Sequence, residues 1–202
     1  MKVLLFWWLQ SQSFYQKLHK DAVCIAGIEK HTNSTTPVQW ADIGCGVGLM
    51  SRIVVEQGYE VYSYDLDSSM IFWAKFLNRN RCNVFYEQKD VMNLFCLFDV
   101  VSATSLLSVV PNKKEVLEKL QSLLKTEKSK LILIEPTQEM TVKNVFKMMK
   151  DIKTFKYYFM FLIWAKARQN KEIDSNIFKE IKNISYHYFL SNMVRVTIIG
   201  QR

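Results

Sequence analysis

Apolar runs alternate with amphipathic segments over the first two thirds of the chain, and this alternation predicts the secondary structure. Apolar and β-branched clusters favour strands, whereas apolar residues that recur every three or four positions favour helices. In residues 113–125, for example, the apolar side chains share one helical face. The predicted order is strand 38–44, helix 49–57, strand 60–65, helix 68–78, strand 83–90, strand 98–105, helix 113–125 and strand 130–136.

The last third of the chain has a different pattern. Residues 141–170 are predicted to be helical, and residues 184–202 form two strands that meet near Ser191 and Asn192. Strands that alternate with helices imply a parallel sheet with right-handed crossovers. The predicted fold is therefore α/β: a doubly wound, mostly parallel seven-stranded sheet with helices on both faces and a C-terminal antiparallel hairpin.

Three glycines follow the first predicted strand, at Gly44, Gly46 and Gly48. In doubly wound sheets, ligands bind at the carboxyl ends of the strands, where the strand order reverses. Glycine there lets the backbone approach a ligand closely. Asp65 ends the second strand and can accept both hydroxyls of a ribose, and Asp90 ends the third and can accept from an adenine amine. The sequence thus predicts a nucleoside-sized crevice.

The spacing of the glycines separates two classes of cofactor. Dinucleotide enzymes have the pattern G-x-G-x-x-G, whereas this loop reads G-x-G-x-G and has Leu49 in place of the third glycine. Asp42, beside the loop, would repel a pyrophosphate but suits a cofactor that carries an ammonium group. A nicotinamide-dependent oxidoreductase is therefore the disfavoured alternative.

The segment ADIGCGVG resembles the glycine motif of class I S-adenosylmethionine-dependent methyltransferases. VYSYDLDSSMIFWAK, VFYEQKDV, FDVVSATS and LILIEP resemble the family's following motifs in the correct order. The resemblance implies S-adenosylmethionine as the cofactor, S-adenosylhomocysteine as its product, and no metal. The cofactor-binding residues that it implies are Asp42, Gly44, Cys45, Gly46, Gly48, Asp65, Leu66, Met70, Asp90, Val91, Ala103 and Thr104.

On this resemblance, the chain is expected to transfer a methyl group to a small-molecule acceptor by in-line displacement. Methylation of RNA or of an acceptor at a lipid surface is an alternative function. A partner protein that binds the cofactor without catalysis is another alternative. One domain, 1–202, is expected, with an N-terminal helical cap (1–36), a cofactor-binding core (37–136), a helical lid or insertion (137–183) and C-terminal strands (184–202). The oligomeric state is not predicted.

No catalytic group is identified by the sequence alone. Tyr15, His19 and His187 are candidates, and His31 is a further histidine that could act as a general base. Each also suits an ordinary structural position. The aromatic segment 155–168 admits three interpretations: a core helix, a lid over an apolar or aromatic acceptor, or a contact with a membrane surface.

The net charge of +8 is concentrated in residues 141–182, where ten Lys/Arg exceed four Asp/Glu. Such a segment suits an anionic substrate, RNA or membrane surface, or a solubilising face. The cysteines, at positions 24, 45, 82 and 96, form no C-x-x-C pair, so neither a zinc site nor a disulfide framework is expected. Cys24, Cys82 and Cys96 are predicted to be buried hydrophobes, and the localisation is predicted to be cytoplasmic. No stretch approaches the ~20 apolar residues of a transmembrane helix.

Overall fold

The computed structural model of the protein describes residues 2–28, 37–148 and 155–200, and one sheet lies at its centre. The strands follow one another across the sheet in the order β3-β2-β1-β4-β5-β7-β6. Their bounds are β1 Gln39–Ile43, β2 Glu60–Asp65, β3 Val84–Gln88, β4 Val100–Thr104, β5 Lys130–Pro136, β6 Ile184–Phe189 and β7 Val194–Gly200.

Strands β1 to β5 are parallel, and β7 lies antiparallel between β5 and β6. The predicted parallel sheet with its C-terminal hairpin is therefore confirmed. The chain leaves β1 towards β2 and β3 on one side, and returns to β4 and β5 on the other side. The strand order reverses between β1 and β4, which is where a ligand site is expected in this architecture.

Seven α-helices flank the sheet in the described part of the chain. The predicted helical segment 141–170 contains two of them, and its residues 149–154 lie outside the described ranges. The helices are α1 Lys2–Gln10, α2 Ser13–Ala26, α3 Leu49–Val55, α4 Ser68–Leu77, α5 Lys113–Ser122, α6 Val142–Met148 and α7 Phe155–Arg168.

Alternate residues of β5 supply two apolar cores, one on each face of the sheet. Ile132 and Ile134 belong to the core that is built with side chains of α1, α2, α3 and α7. Leu131 and Leu133 belong to the opposite core, which is built with α5. Because α7 supplies Tyr158, Met160, Phe161, Trp164 and Ala165 to the first core, much of the aromatic segment is buried.

The four cysteines are free thiols, and only Cys45 is buried. The prediction that Cys24, Cys82 and Cys96 are buried hydrophobes is wrong. Cys24 lies on the outer face of α2, Cys82 in the turn before β3, and Cys96 in the loop before β4, so none of them faces a core. Among the described helices, none has both the length and the apolar character needed to cross a bilayer.

Candidate cofactor and acceptor site

A cavity of about 100 Å³ lies at the carboxyl ends of β1 and β4, where the strand order reverses. Its floor is formed by the end of β1, the glycine loop and the end of β4. Its roof is formed by α1, α2 and α7, which pack against one another through Trp8–Phe159 and Tyr15–Trp164 ring contacts. The lining residues are Leu5, Phe6, Leu9, Gln10, Tyr15, His19, Asp42, Gly44, Cys45, Gly46, Leu49, Met50, Thr104, Ser105, Met160, Ile163, Trp164, Ala167 and Arg168.

The glycine loop turns tightly at the end of β1 because Gly44 and Gly46 have left-handed φ angles of 68° and 55°. The backbone N–H groups of Gly44 and Cys45 both donate to the Tyr64 carbonyl of β2, at 2.8 and 3.0 Å. A Cβ atom on Gly46 would point towards Gln10 of α1, 3.4 Å from its Nε2 atom. The loop therefore presents backbone rather than side chain at these two positions of the cavity floor.

Gly48 lies in a closely packed region outside the lining of the cavity. It does not line the cavity, and a Cβ atom there would come within 2.6 Å of the Tyr86 hydroxyl and 3.0 Å of Asn78 Nδ2. Its φ of 82° also favours glycine, and it precedes the first residue of α3. A reason for Gly48 thus lies in the close approach of β3 and α4, which the sequence pattern did not reveal.

Asp42 is buried at the end of β1 and is held by two serines. Its Oδ2 accepts from the Ser51 backbone N–H at 3.1 Å and from the Ser51 hydroxyl at 2.6 Å, and its Oδ1 accepts from the Ser102 hydroxyl at 3.2 Å. Burial raises the pKa of Asp42 to about 6, although these hydrogen bonds oppose the rise. A buried carboxylate that is costly to ionise gains most from a cationic ligand.

Asp65 lies at the end of β2 and ties the glycine loop to that strand. Its Oδ2 accepts from the Gly46 N–H at 2.8 Å, and its Oδ1 accepts from the Asp67 N–H at 2.9 Å. Its carboxylate thus orders the backbone of the glycine loop and of the turn that follows β2. Asp67 is also structural, since it caps α4 by accepting from the Ser69 N–H at 2.9 Å.

The remaining residues implied by the resemblance lie around the cavity or beside it. Thr104 and Cys45 line it. Leu66 is 68% exposed just beyond β2, and Asp90 caps a short 3-10 turn by accepting from the Met92 N–H at 2.9 Å. Met70, Val91 and Ala103 are buried and do not line the cavity.

Two of the three catalytic candidates meet in the cavity. Tyr15 and His19 lie one turn apart on α2, with ring centroids 4.6 Å apart. His19 is buried, its Nδ1 lies 2.8 Å from the Tyr15 carbonyl, and its Nε2 lies 3.3 Å from the Thr104 hydroxyl. His187 lies on the edge strand β6 and does not line the cavity, and His31 lies outside the described residues.

Sequence reasoning missed three polar residues that line the cavity. Gln10 ends α1, Ser105 follows β4 with a φ of 54°, and Arg168 ends α7. Each has a buried polar atom without a hydrogen-bond partner among the described residues: Gln10 Oε1, Ser105 Oγ and Arg168 Nε. Ser105 differs from the other two in its left-handed φ. No rule of sequence spacing connects the three positions.

The profile of one protein family, described as a methyltransferase domain, matches residues 15–172. Two similar curated proteins are named as ubiquinone biosynthesis O-methyltransferases. The protein from Glaesserella parasuis is 26% identical over 136 residues, which is 62% of this chain and 57% of that protein. The protein from Idiomarina loihiensis is 30% identical over 126 residues, 59% of this chain and 51% of that protein. The chain thus spans little more than half the length of these relatives.

Solved structures share the whole fold. The plantazolicin methyltransferase BpumL in complex with S-adenosylhomocysteine has a TM-score of 0.67 and 16% identity, covering 100% of this chain and 90% of its own. The magnesium protoporphyrin IX methyltransferase ChlM from Synechocystis, also with S-adenosylhomocysteine, has a TM-score of 0.64 and 18% identity, covering 93% and 84%. These likenesses establish the fold.

Proposed function

This chain belongs to the family of methyltransferase domains, and from that premise we propose that it transfers the methyl group of S-adenosylmethionine to a hydroxyl oxygen of a small acceptor with an apolar or aromatic body. The observation that carries the proposal is the cavity that joins the glycine loop to an apolar roof. The family match favours this function over a nicotinamide-dependent oxidoreductase and over a partner protein without catalysis. The names of the relatives support oxygen as the accepting atom.

The donor set of the site fits S-adenosylmethionine. Asp42 offers a carboxylate to the cofactor's ammonium group, and a side chain at Gly46 would take up space in the cradle. Asp65 would take the ribose hydroxyls, and Asp90 the adenine amine. The cavity of about 100 Å³ is smaller than the ~300–1,000 Å³ of ordinary small-molecule sites. The roof must therefore open to admit cofactor and acceptor together.

The chain's own residues have to align the acceptor and exclude water. S-adenosylmethionine supplies a sulfonium methyl group that is already activated, so orientation is the main requirement. Apolar side chains of α1 and α7 form the roof and keep water out, among them Leu5, Phe6, Ile163 and Trp164.

His19 lies where its Nε2 atom can accept the proton of the acceptor's hydroxyl group. The Tyr15 carbonyl can only accept a hydrogen bond, so the proton of the neutral ring lies on Nδ1, and Nε2 is left as an acceptor beside Thr104. Burial lowers the pKa of His19 to about 4, so the ring is neutral at physiological pH. A hydroxyl that displaces Thr104 from Nε2 would donate its hydrogen bond to His19, and its proton would pass to Nε2 as the oxygen–methyl bond forms and the sulfur–methyl bond breaks.

The test of this function is transfer of labelled methyl from S-adenosylmethionine to a panel of phenols and catechols. We expect methylated product with at least one hydroxylated aromatic, and none when the hydroxyls are blocked. Bulk RNA and anionic lipid vesicles belong in the same panel, because they represent the alternative acceptors. Label that enters only RNA or lipid contradicts the proposal.

Binding of S-adenosylhomocysteine is predicted to weaken about tenfold between pH 7 and pH 5. With a pKa of about 6, Asp42 is mostly ionised at pH 7 and mostly protonated at pH 5. The cofactor's ammonium binds the ionised form, so protonation competes with binding. Calorimetry at both pH values measures the effect, and Asp42→Asn should bind weakly with little pH dependence. The account of Asp42 fails if the wild-type affinity is the same at both values.

The roof is predicted to become more ordered when the site fills. Hydrogen exchange in α1 and α7 should slow on addition of S-adenosylhomocysteine, while β5 stays protected throughout, because lids belong to the less stable parts of a fold. If α1 and α7 exchange slowly without ligand, they belong to the permanent hydrophobic core and do not form a lid.

The membrane alternative is favoured by two exposed aromatic side chains of the roof, since Phe159 and Trp7 are 54% and 46% exposed. Protection that appears only with anionic vesicles would support that alternative and contradict a lid.

A further inference from the structure

Arg168 places a cationic side chain in the wall of a mostly apolar cavity. It is the last residue of α7 and is partly buried, and its Nε atom is buried without a hydrogen-bond partner. Among the described residues, no ion pair includes Arg168. A guanidinium has five N–H donors in a planar fork that matches a carboxylate. Its donors are thus available to a ligand in the cavity.

Electrostatic coupling indicates that this guanidinium lies near Glu135 and Tyr15. Burial raises the pKa of Glu135, at the end of β5, to about 7, and the charge of Arg168 opposes that rise. Burial likewise raises the pKa of Tyr15, and Arg168 again opposes it. The strands β4 and β5 lie on the opposite side of β1 from β2, which carries the proposed ribose ligand Asp65.

Ser105 supplies a second donor in the same cavity. It follows β4 in a left-handed conformation, with a φ of 54°, which is strained for a residue other than glycine. Its N–H donates to the Ile134 carbonyl at 2.8 Å, and its carbonyl accepts from the Ser108 hydroxyl at 2.9 Å. Its own hydroxyl lines the cavity and is buried without a partner. Backbone strain and an unpaired hydroxyl thus coincide at one cavity residue.

We propose that Arg168 and Ser105 bind a carboxylate on the methyl acceptor, so that the substrate is an aromatic or apolar acid rather than a neutral molecule. This inference rests on the proposed function and names the class of its substrate. The apolar roof takes the body of the substrate, and the fork of Arg168 fixes the end that carries the charge. Glu135 couples electrostatically to Arg168 but forms no ion pair with it among the described residues. Its Oε1 accepts from the Leu107 N–H at 2.8 Å, and its Oε2 is buried without a hydrogen-bond partner.

Two catechols that differ in one group provide the probes. 3,4-Dihydroxybenzoate carries a carboxylate where 4-methylcatechol carries a methyl group, and both have the same pair of hydroxyls. Calorimetry on the protein saturated with S-adenosylhomocysteine should show the acid binding about 10- to 100-fold more tightly, as expected for a bidentate, charge-assisted pair. Arg168→Met should remove that preference, and Arg168→Lys should keep part of it. Lys166→Met is the matched control on the same helix, since Lys166 is exposed and does not line the cavity.

Equal affinity for the two catechols, a preference that survives in Arg168→Met, or no binding of the acid overturns the inference. The carboxylate of the cofactor's amino-acid part is the other ligand that Arg168 could bind. A comparison of S-adenosylhomocysteine with 5′-methylthioadenosine, which lacks that part, tests this alternative. If Arg168→Met weakens only S-adenosylhomocysteine, Arg168 holds the cofactor and the inference is wrong. Methyl transfer to 4-methylcatechol as efficient as to the acid would leave the proposed function intact and refute this substrate class.

Discussion

A Gly46→Val variant is expected to bind S-adenosylhomocysteine more than about 100-fold more weakly than the wild type, and to remain folded. Gly46 forms part of the cavity floor, and a Cβ atom there would contact Gln10, another lining residue, at 3.4 Å from its Nε2. The two methyl groups of valine would occupy the space that the cofactor needs. Its left-handed φ of 55° adds about 1–3 kcal/mol of strain, which a domain of ordinary stability survives. Calorimetry measures the affinity, and thermal unfolding measures the fold.

Gly58 offers a matched control for the strain. It has a φ of 87°, it is exposed, and a Cβ atom there would meet nothing within 4 Å. Gly58→Val should therefore destabilise the fold comparably and leave the affinity unchanged. Unchanged affinity in Gly46→Val, or an equal loss in both variants, would contradict a role of the glycine loop in cofactor binding.

Asp65→Ala should weaken the same ligand by about 30- to 1000-fold, or about 2–4 kcal/mol. The substitution removes the carboxylate that is expected to accept both ribose hydroxyls. It also removes the acceptor of the Gly46 N–H, so the glycine loop loses its tie to β2. Both consequences act in the same direction, and calorimetry with S-adenosylhomocysteine measures their sum.

Asp67 is the neighbouring acid that serves as a control, but alanine is the wrong replacement there. Because Asp67 caps α4, its loss would cost about 1 kcal/mol of stability. Asp67→Asn keeps a capping oxygen for the Ser69 N–H and should leave the affinity within about threefold of the wild type. A loss of less than threefold in Asp65→Ala would mean that Asp65 does not contact the ribose.

Local patterns predicted the sheet well because each strand carries its own signal. The predicted bounds of β2 and β5 coincide with those of the structure, since an apolar or alternating run ends at a turn or a polar residue on each side. The glycine loop and Asp65 were also placed correctly, because the connection from a parallel strand to its helix positions both at one sheet edge. The motif thus determined the floor of the site.

The roof was less predictable, because it depends on helices far apart in the chain. In the structure, Trp8 of α1 and Phe159 of α7 contact each other, although they lie far apart in the chain. No pattern indicated that Gln10 would lie over Gly46, or that Arg168 would reach the cavity. Such contacts arise from tertiary packing, whereas periodicity reports only which face of a helix is apolar. Polar residues that line a cavity leave no periodic signal.

Titration of the purified protein with S-adenosylhomocysteine, with NAD in a parallel experiment, tests the central claim most directly. For S-adenosylhomocysteine, we expect one binding site per chain with a dissociation constant in the micromolar range, about that of ordinary enzyme ligands. For NAD, we expect no heat of binding. The same titration of Gly46→Val and Asp65→Ala should lose that signal or most of it. Absence of S-adenosylhomocysteine binding by the folded wild-type protein, or tighter binding of NAD, would contradict the account.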